Sequence, residues 1–93
     1  MNEIDLRNRV AVITGGARGI GYACAERFLA CGAKPALWDL DGAAQAASRL
    51  AGAIGCTVDV TDERSIAAAL AETERRLGPV DILVASAGIT GPN

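Results

Sequence analysis

Apolar residues in this chain follow two rhythms, continuous runs and returns every three or four positions. After a lead-in from Leu6 to Arg9, Val10 to Thr14 is apolar but for its last residue. That suits a strand covered on both faces, as in a parallel sheet. From Gly19 to Cys31, the residues Ile20, Ala23, Cys24, Phe28 and Cys31 return to one face at helical spacing. The spacing predicts a first helix burying that face, with Gly32 as its C-cap. Ala36-Leu37-Trp38 predicts a short second strand, followed at once by Asp39-Leu40-Asp41. An alanine-rich second helix is expected over about Gly42 to Leu50, and a third strand over Ile54 to Val58. Thr61 or Asp62 caps a third helix to about Leu77, with Ile66, Leu70 and Leu77 as its buried face. Gly78-Pro79 stops it, Val80 to Ala85 forms a fourth strand, and Ser86 to Asn93 is loop.

Strands alternating with helices over short connections imply right-handed crossovers and a parallel sheet. The expected fold is α/β, a Rossmann-type doubly wound sheet present in part as βαβαβαβ, with strand order 3-2-1-4. Neither an internal repeat beyond this alternation nor a low-complexity linker interrupts it.

Between the first strand and first helix lies Thr14-Gly15-Gly16-Ala17-Arg18-Gly19-Ile20-Gly21. A strand, a glycine turn and a helix start are the context that a phosphate-cradling loop needs. Gly15 supplies a sharp turn with positive φ. Gly19 lets the backbone approach a pyrophosphate, and Gly21 lets the helix pack closely on the strand. Exposed N–H groups and the positive end of the helix dipole then favour anionic phosphates. The bland alternative is a tight strand-to-helix turn with no ligand. Asp39 stands at the end of the second strand, near the roughly 20-residue spacing from the glycines expected of a ribose-binding acid. Its carboxylate can accept hydrogen bonds from ribose hydroxyls and would repel a 2′-phosphate, which favours NAD over NADP. As alternatives, Asp39 is a loop acid or a cap for the helix near Gly42.

Composition narrows the function classes. With 51% apolar and 22% charged residues, the chain has an ordinary globular composition and is not a disordered one. A net charge of −2 gives no basic footprint, so nucleic acid is not an expected partner. No apolar run is long enough to span a bilayer, and Met1 to Asp5 does not read as a signal peptide, so no membrane partner is expected either. Cys24, Cys31 and Cys56 form no C-x-x-C pair, and buried free thiols in a reducing cytoplasm are the simplest reading. The absence of histidine removes histidine acid–base catalysis and most zinc or di-iron sites; no metal ligands are assigned.

At the glycine loop the chain resembles the short-chain dehydrogenase/reductase family, matching Thr-Gly-x-x-x-Gly-x-Gly at every fixed position. The resemblance implies cofactor contacts at Gly15, Arg18, Gly19, Ile20, Gly21, Asp39, Leu40, Asp59, Val60, Ala87 and Gly88. Within such a family a basic residue at Arg18 can contact a 2′-phosphate, which pulls against Asp39. An Asp-Val pair such as Asp59-Val60 holds the adenine there, although Asp59 can equally well merely start the turn before Thr61. Ala85-Ser86-Ala87-Gly88 stands where the family usually has Asn-Asn-Ala-Gly, and Ala85 and Ser86 depart from it.

The resemblance further implies a catalytic Ser, Tyr and Lys, the last two spaced Tyr-x-x-x-Lys. Tyr22 and Lys34 are the only residues of their kinds and do not meet that spacing, so no catalytic residue is assigned. Residues 1–93 are expected to be the N-terminal part of one dinucleotide-binding domain, truncated before the catalytic segment and inactive alone. The full-length form would interconvert a secondary alcohol and a ketone as a homo-oligomer. Two rivals are a self-sufficient nucleotide-binding or regulatory module and an S-adenosylmethionine-dependent methyltransferase. The glycine spacing and the Ala-Gly at 87–88 favour the dehydrogenase. Made alone, the chain is expected to associate through its apolar fourth strand, where Asp81 is the single guarding charge.

Overall fold

The computed structural model describes residues 5–86. Within them the elements alternate as β1 (Val10–Thr14), α1 (Gly19–Ala30), β2 (Lys34–Asp39), α2 (Ala43–Ser48), β3 (Ile54–Thr57), α3 (Glu63–Leu77) and β4 (Ile82–Ala85). Every pairing is parallel and the order is β3-β2-β1-β4, as the alternation predicts. Thr14 lies opposite Trp38 and Ala85, and Trp38 opposite Cys56. The carboxyl ends of the strands therefore share one rim.

Successive strand residues face opposite sides, which splits the core in two. Ile13 and Leu37 join Ala17, Ala25, Ala46 and Leu50 beneath α1 and α2. Val12, Ala36 and Trp38 join Ile54, Cys56, Val58 and Ala69 beneath α3. All of β1 is buried, so the glycine loop hangs from the most protected strand of the sheet.

Several boundaries and faces differ from expectation. β2 begins at Lys34 and includes Pro35, a residue that removes a ladder donor. The Lys34 N–H points to β1, donating to the Arg9 carbonyl at 2.7 Å. Pro35 therefore turns its nitrogen toward β3, whose pairing starts only at Ala36 with Ile54, and no ladder bond is lost. The α2 helix is shorter than expected and docks closely on β3. A Cβ added at Gly55 would lie 2.3 Å from the Ala43 carbonyl oxygen.

The buried face of α1 is not the predicted one. Ile20 is 69% exposed and Ala23 is exposed, whereas Gly21 and Ala25 are buried. The helix sits so close to the sheet that its contact line runs through its smallest residues, with Phe28 and Leu29 packing alongside. On α3, Leu70 is 38% exposed, and the buried line is Ala69 and Thr73 flanked by the half-buried Ile66 and Leu77. Thr73 goes inward because its hydroxyl accepts the Trp38 indole N–H at 3.1 Å, satisfying a buried donor. The Cys56 thiol lies 3.9 Å from the same hydroxyl. Cys56 is buried, but Cys24 and Cys31 are only half-buried, because they lie off the true contact line of α1.

Asp81 does not guard the outer edge of β4. Its N–H donates to the Val10 carbonyl and its carboxylate accepts the Val10 N–H, both at 2.9 Å, with the Arg9 guanidinium 3.7 Å away. It clamps the start of β1, and β4 proper begins at Ile82. Among the described residues, no helix is long and apolar enough to cross a membrane.

Candidate nucleotide-binding site

The glycine loop joins the carboxyl end of β1 to α1 at the shared rim. Gly15 has φ +67° and Gly19 has φ +59°, conformations that side-chain-bearing residues rarely adopt. The loop leans on the end of β2. The N–H groups of Gly15 and Gly16 both donate to the Trp38 carbonyl, at 2.7 and 3.2 Å. The next amide, Ala17 N–H, donates to Asp39 Oδ2 at 3.0 Å, while Leu40 N–H donates to Asp39 Oδ1 at 2.8 Å.

The glycines play distinct parts. A Cβ on Gly21 would lie 2.1 Å from the Gly15 carbonyl oxygen and 2.8 Å from Ser86 Oγ, so Gly21 sets the closeness of helix and loop. A Cβ on Gly16 would press on the Ile13 carbonyl and on Leu37, at 2.9 and 3.1 Å. Gly19 is different, for a Cβ there meets nothing within 4 Å. Open space therefore stands beside the first turn of α1. The N–H groups of Gly19, Ile20 and Gly21 lie in that turn and have no upstream carbonyl within the helix. The preceding Arg18 is extended and exposed, and it provides no side-chain cap. Free donors, the positive helix end and empty volume together form a cradle for an anion.

The remaining expected positions spread along the same rim. Ile20, Leu40 and Val60 follow β1, β2 and β3 in turn and are 69%, 66% and 42% exposed. Three large apolar side chains left in water along one rim can line a flat, partly apolar ligand. Asp59 holds a compact turn. Its Oδ1 accepts the Thr61 hydroxyl at 2.6 Å and the Thr61 N–H at 2.9 Å, and its own N–H donates to Ser65 Oγ. The Thr61 hydroxyl first, and then the Thr61 amide, hold this carboxyl below the usual aspartate pKa. The third helix is capped by Asp62, whose Oδ1 accepts the Arg64 N–H. Ala87 and Gly88 lie outside the described residues.

Ser86, one of the departures from the family pattern, donates its hydroxyl to the Thr14 carbonyl, and Thr14 Oγ1 donates to the Val84 carbonyl at 3.4 Å. Together they tie the ends of β1 and β4 beneath the glycine loop. Tyr22 packs against the core under α1, with the Arg49 guanidinium 5.6 Å from its ring centre. Sequence reasoning missed the Trp38 carbonyl and the Ala17 amide. Backbone groups leave no trace in residue type, although the second glycine, Gly16, hinted at close packing there.

Similarity to known proteins agrees with this geometry. The sequence profile of the short chain dehydrogenases matches residues 9–93. A 2-dehydro-3-deoxy-L-rhamnonate dehydrogenase (NAD(+)) from Sphingomonas sp. (strain SKA58) is 47% identical over 87 residues, covering 89% of this chain and 34% of that protein. The 3-hydroxyacyl-CoA dehydrogenase type-2 of Homo sapiens is 42% identical, with 91% and 34% covered. Among solved structures, the 3-ketoacyl-(acyl-carrier-protein) reductase from Brucella melitensis complexed with NADH superposes with a TM-score of 0.82 at 35% identity. That match covers 85% of this chain and 34% of that one. The chain spans about a third of the length of these relatives. With its glycine loop, its sheet order and this family-wide match, the chain belongs to the short-chain dehydrogenase family of oxidoreductases.

Proposed function

We propose that residues 1–93 form the N-terminal, NAD-binding part of a single dinucleotide-binding domain. The protein is a short-chain dehydrogenase that interconverts a secondary alcohol and a ketone. The bound nicotinamide would supply the hydride acceptor or donor, and the catalytic groups come from outside these residues, since Tyr22 and Lys34 do not have the needed spacing. The cradle at Gly19, Ile20 and Gly21 takes the pyrophosphate. Leu40 and Val60 line the adenine, with the Asp59 carboxylate beside it, its pKa lowered by its hydrogen bonds to Thr61. Ala87 and Gly88 are assigned to the cofactor site by their place in the family's sequence pattern alone.

One observation carries the choice of NAD. A carboxylate has about four acceptor sites, and Asp39 commits one on each oxygen to a backbone amide. The remaining two match the vicinal hydroxyls of an unmodified ribose. A 2′-phosphate offers no such donor and brings a like charge to contact range. Arg18, exposed on the loop, returns less than that repulsion costs. Calorimetric titration of the natural polypeptide with NAD and NADP tests this, with NAD binding expected to be tighter. Tighter NADP binding overturns the assignment.

A further inference from the structure

The glycine loop is fastened to β2 at three consecutive amides, by two different means. Gly15 and Gly16 donate to the Trp38 carbonyl, which any residue at position 38 would offer. Ala17 donates to a side chain, the Asp39 carboxylate, at 3.0 Å. Beyond Ala17 the backbone turns through an extended Arg18 and the positive φ of Gly19 into a helix whose start has no side-chain cap. Asp39 is thus the last side-chain anchor before the cradle.

We infer that Asp39 is a positioning residue that staples the glycine loop in place before any nucleotide arrives, through the Ala17 amide. The anchor spans two elements adjacent at the rim, because Thr14 and Trp38 are register partners. It fixes Arg18 and Gly19 by fixing the residue before them. A loop held in its binding shape spends less affinity on being ordered. Each carboxylate oxygen keeps one acceptor site open, so the staple persists when ribose hydroxyls are bound. This last point rests on the nucleotide reading above; the staple itself does not.

Amide hydrogen exchange followed by NMR without nucleotide tests the staple in the natural full-length polypeptide and in its Asp39→Asn and Asp39→Ala variants. In Asp39→Asn one oxygen retains the bond to Ala17 and the NH2 group replaces the acceptor facing Leu40. The Ala17 amide should exchange at least about tenfold faster in Asp39→Ala, and within about threefold of wild type in Asp39→Asn. Leu40 should exchange faster in both, and Gly15 and Gly16 should change least. If Asp39→Ala does not fold, Asp39→Ser is the substitute, its side chain being too short to reach Ala17. Equal Ala17 exchange in wild type and Asp39→Ala overturns the inference, as does an asparagine variant as fast as the alanine one. NAD titration of the same samples separates the two claims. Loss of staple response with NAD still bound sinks only the staple. A normal staple response without NAD binding sinks only the nucleotide reading.

Discussion

Gly19 and Gly21 sit two residues apart in one loop, yet the structure demands different outcomes from the same substitution. At Gly21 an added Cβ would stand 2.1 Å from the Gly15 carbonyl oxygen and 2.8 Å from its carbon. Backbone cannot yield as a side-chain tip can, so α1 must move off the loop and disturb Ala25 and Phe28 beneath it. Overpacking of this kind costs about 1–3 kcal/mol, toward the upper end here because both partners are backbone. At Gly19 the added atom meets open space, and only the left-handed backbone at φ +59° resists it. That strain is about 1–2 kcal/mol for alanine. A change of 1 kcal/mol moves the Tm of a domain of about 150–250 residues by about 2–4 °C. Gly19→Ala should therefore melt roughly 2–8 °C lower, and Gly21→Ala lower still. Binding should separate them differently. The new methyl at 19 occupies the cradle beside the helix N-terminus, so affinity for NAD should fall at least about tenfold. The bulkier Gly19→Val should abolish binding with less harm to folding than a core truncation such as Leu37→Ala, expected to cost about 2–5 kcal/mol. Thermal melts and calorimetry on the same preparations decide the matter. If Gly19→Ala or Gly19→Val folds and binds NAD normally, the loop is a structural turn and the reasoning fails.

Further outcomes follow from the rest of the fold. Thr73→Val leaves the buried Trp38 indole N–H without its acceptor and should cost about 1–3 kcal/mol by chemical denaturation, with Thr73→Ser close to wild type; equal loss in both would point to packing alone. The Asp59 pKa lies below its unfolded value, so its stabilisation is full above the ordinary carboxylate range and fades as pH falls through the lowered folded value. Asp59→Asn should flatten the stability–pH curve there, and an unchanged curve would refute the assignment. The 93 residues made alone should associate through β4, where Leu83 is 65% exposed and each uncovered large side chain forgoes about 1.5–3 kcal/mol. Leu83→Lys should reduce the particle mass seen by light scattering. A well-folded monomer with a protected β4 would favour a self-sufficient nucleotide-binding module.

The sheet order was legible because four apolar runs separated by helical segments leave few parallel arrangements, and the observed β3-β2-β1-β4 is the one expected. Helix faces were less legible. A hydrophobic pattern assumes that large apolar residues mark the contact, but α1 approaches through Gly21 and Ala25 and leaves Ile20 in water. Thr73 reads as a polar surface residue until Trp38 supplies its donor. Asp81 reads as an edge charge until the Val10 amide turns it inward. At the site, the glycines and Asp39 stood out through residue type and spacing. Their ties to the Trp38 carbonyl and through the Ala17 amide did not, because every residue carries those groups. The exposure of Ile20, Leu40 and Val60 along one rim emerged only once the strands were aligned.

The most direct test of the nucleotide site is an amide chemical-shift titration of the ¹⁵N-labelled protein with NAD. The account predicts the largest shifts at Gly19, Ile20 and Gly21, a second group at Leu40 and Val60, and little change at Ala68 or Arg76 on α3. Shifts centred on α3, or none at saturating NAD in a folded sample, would contradict it.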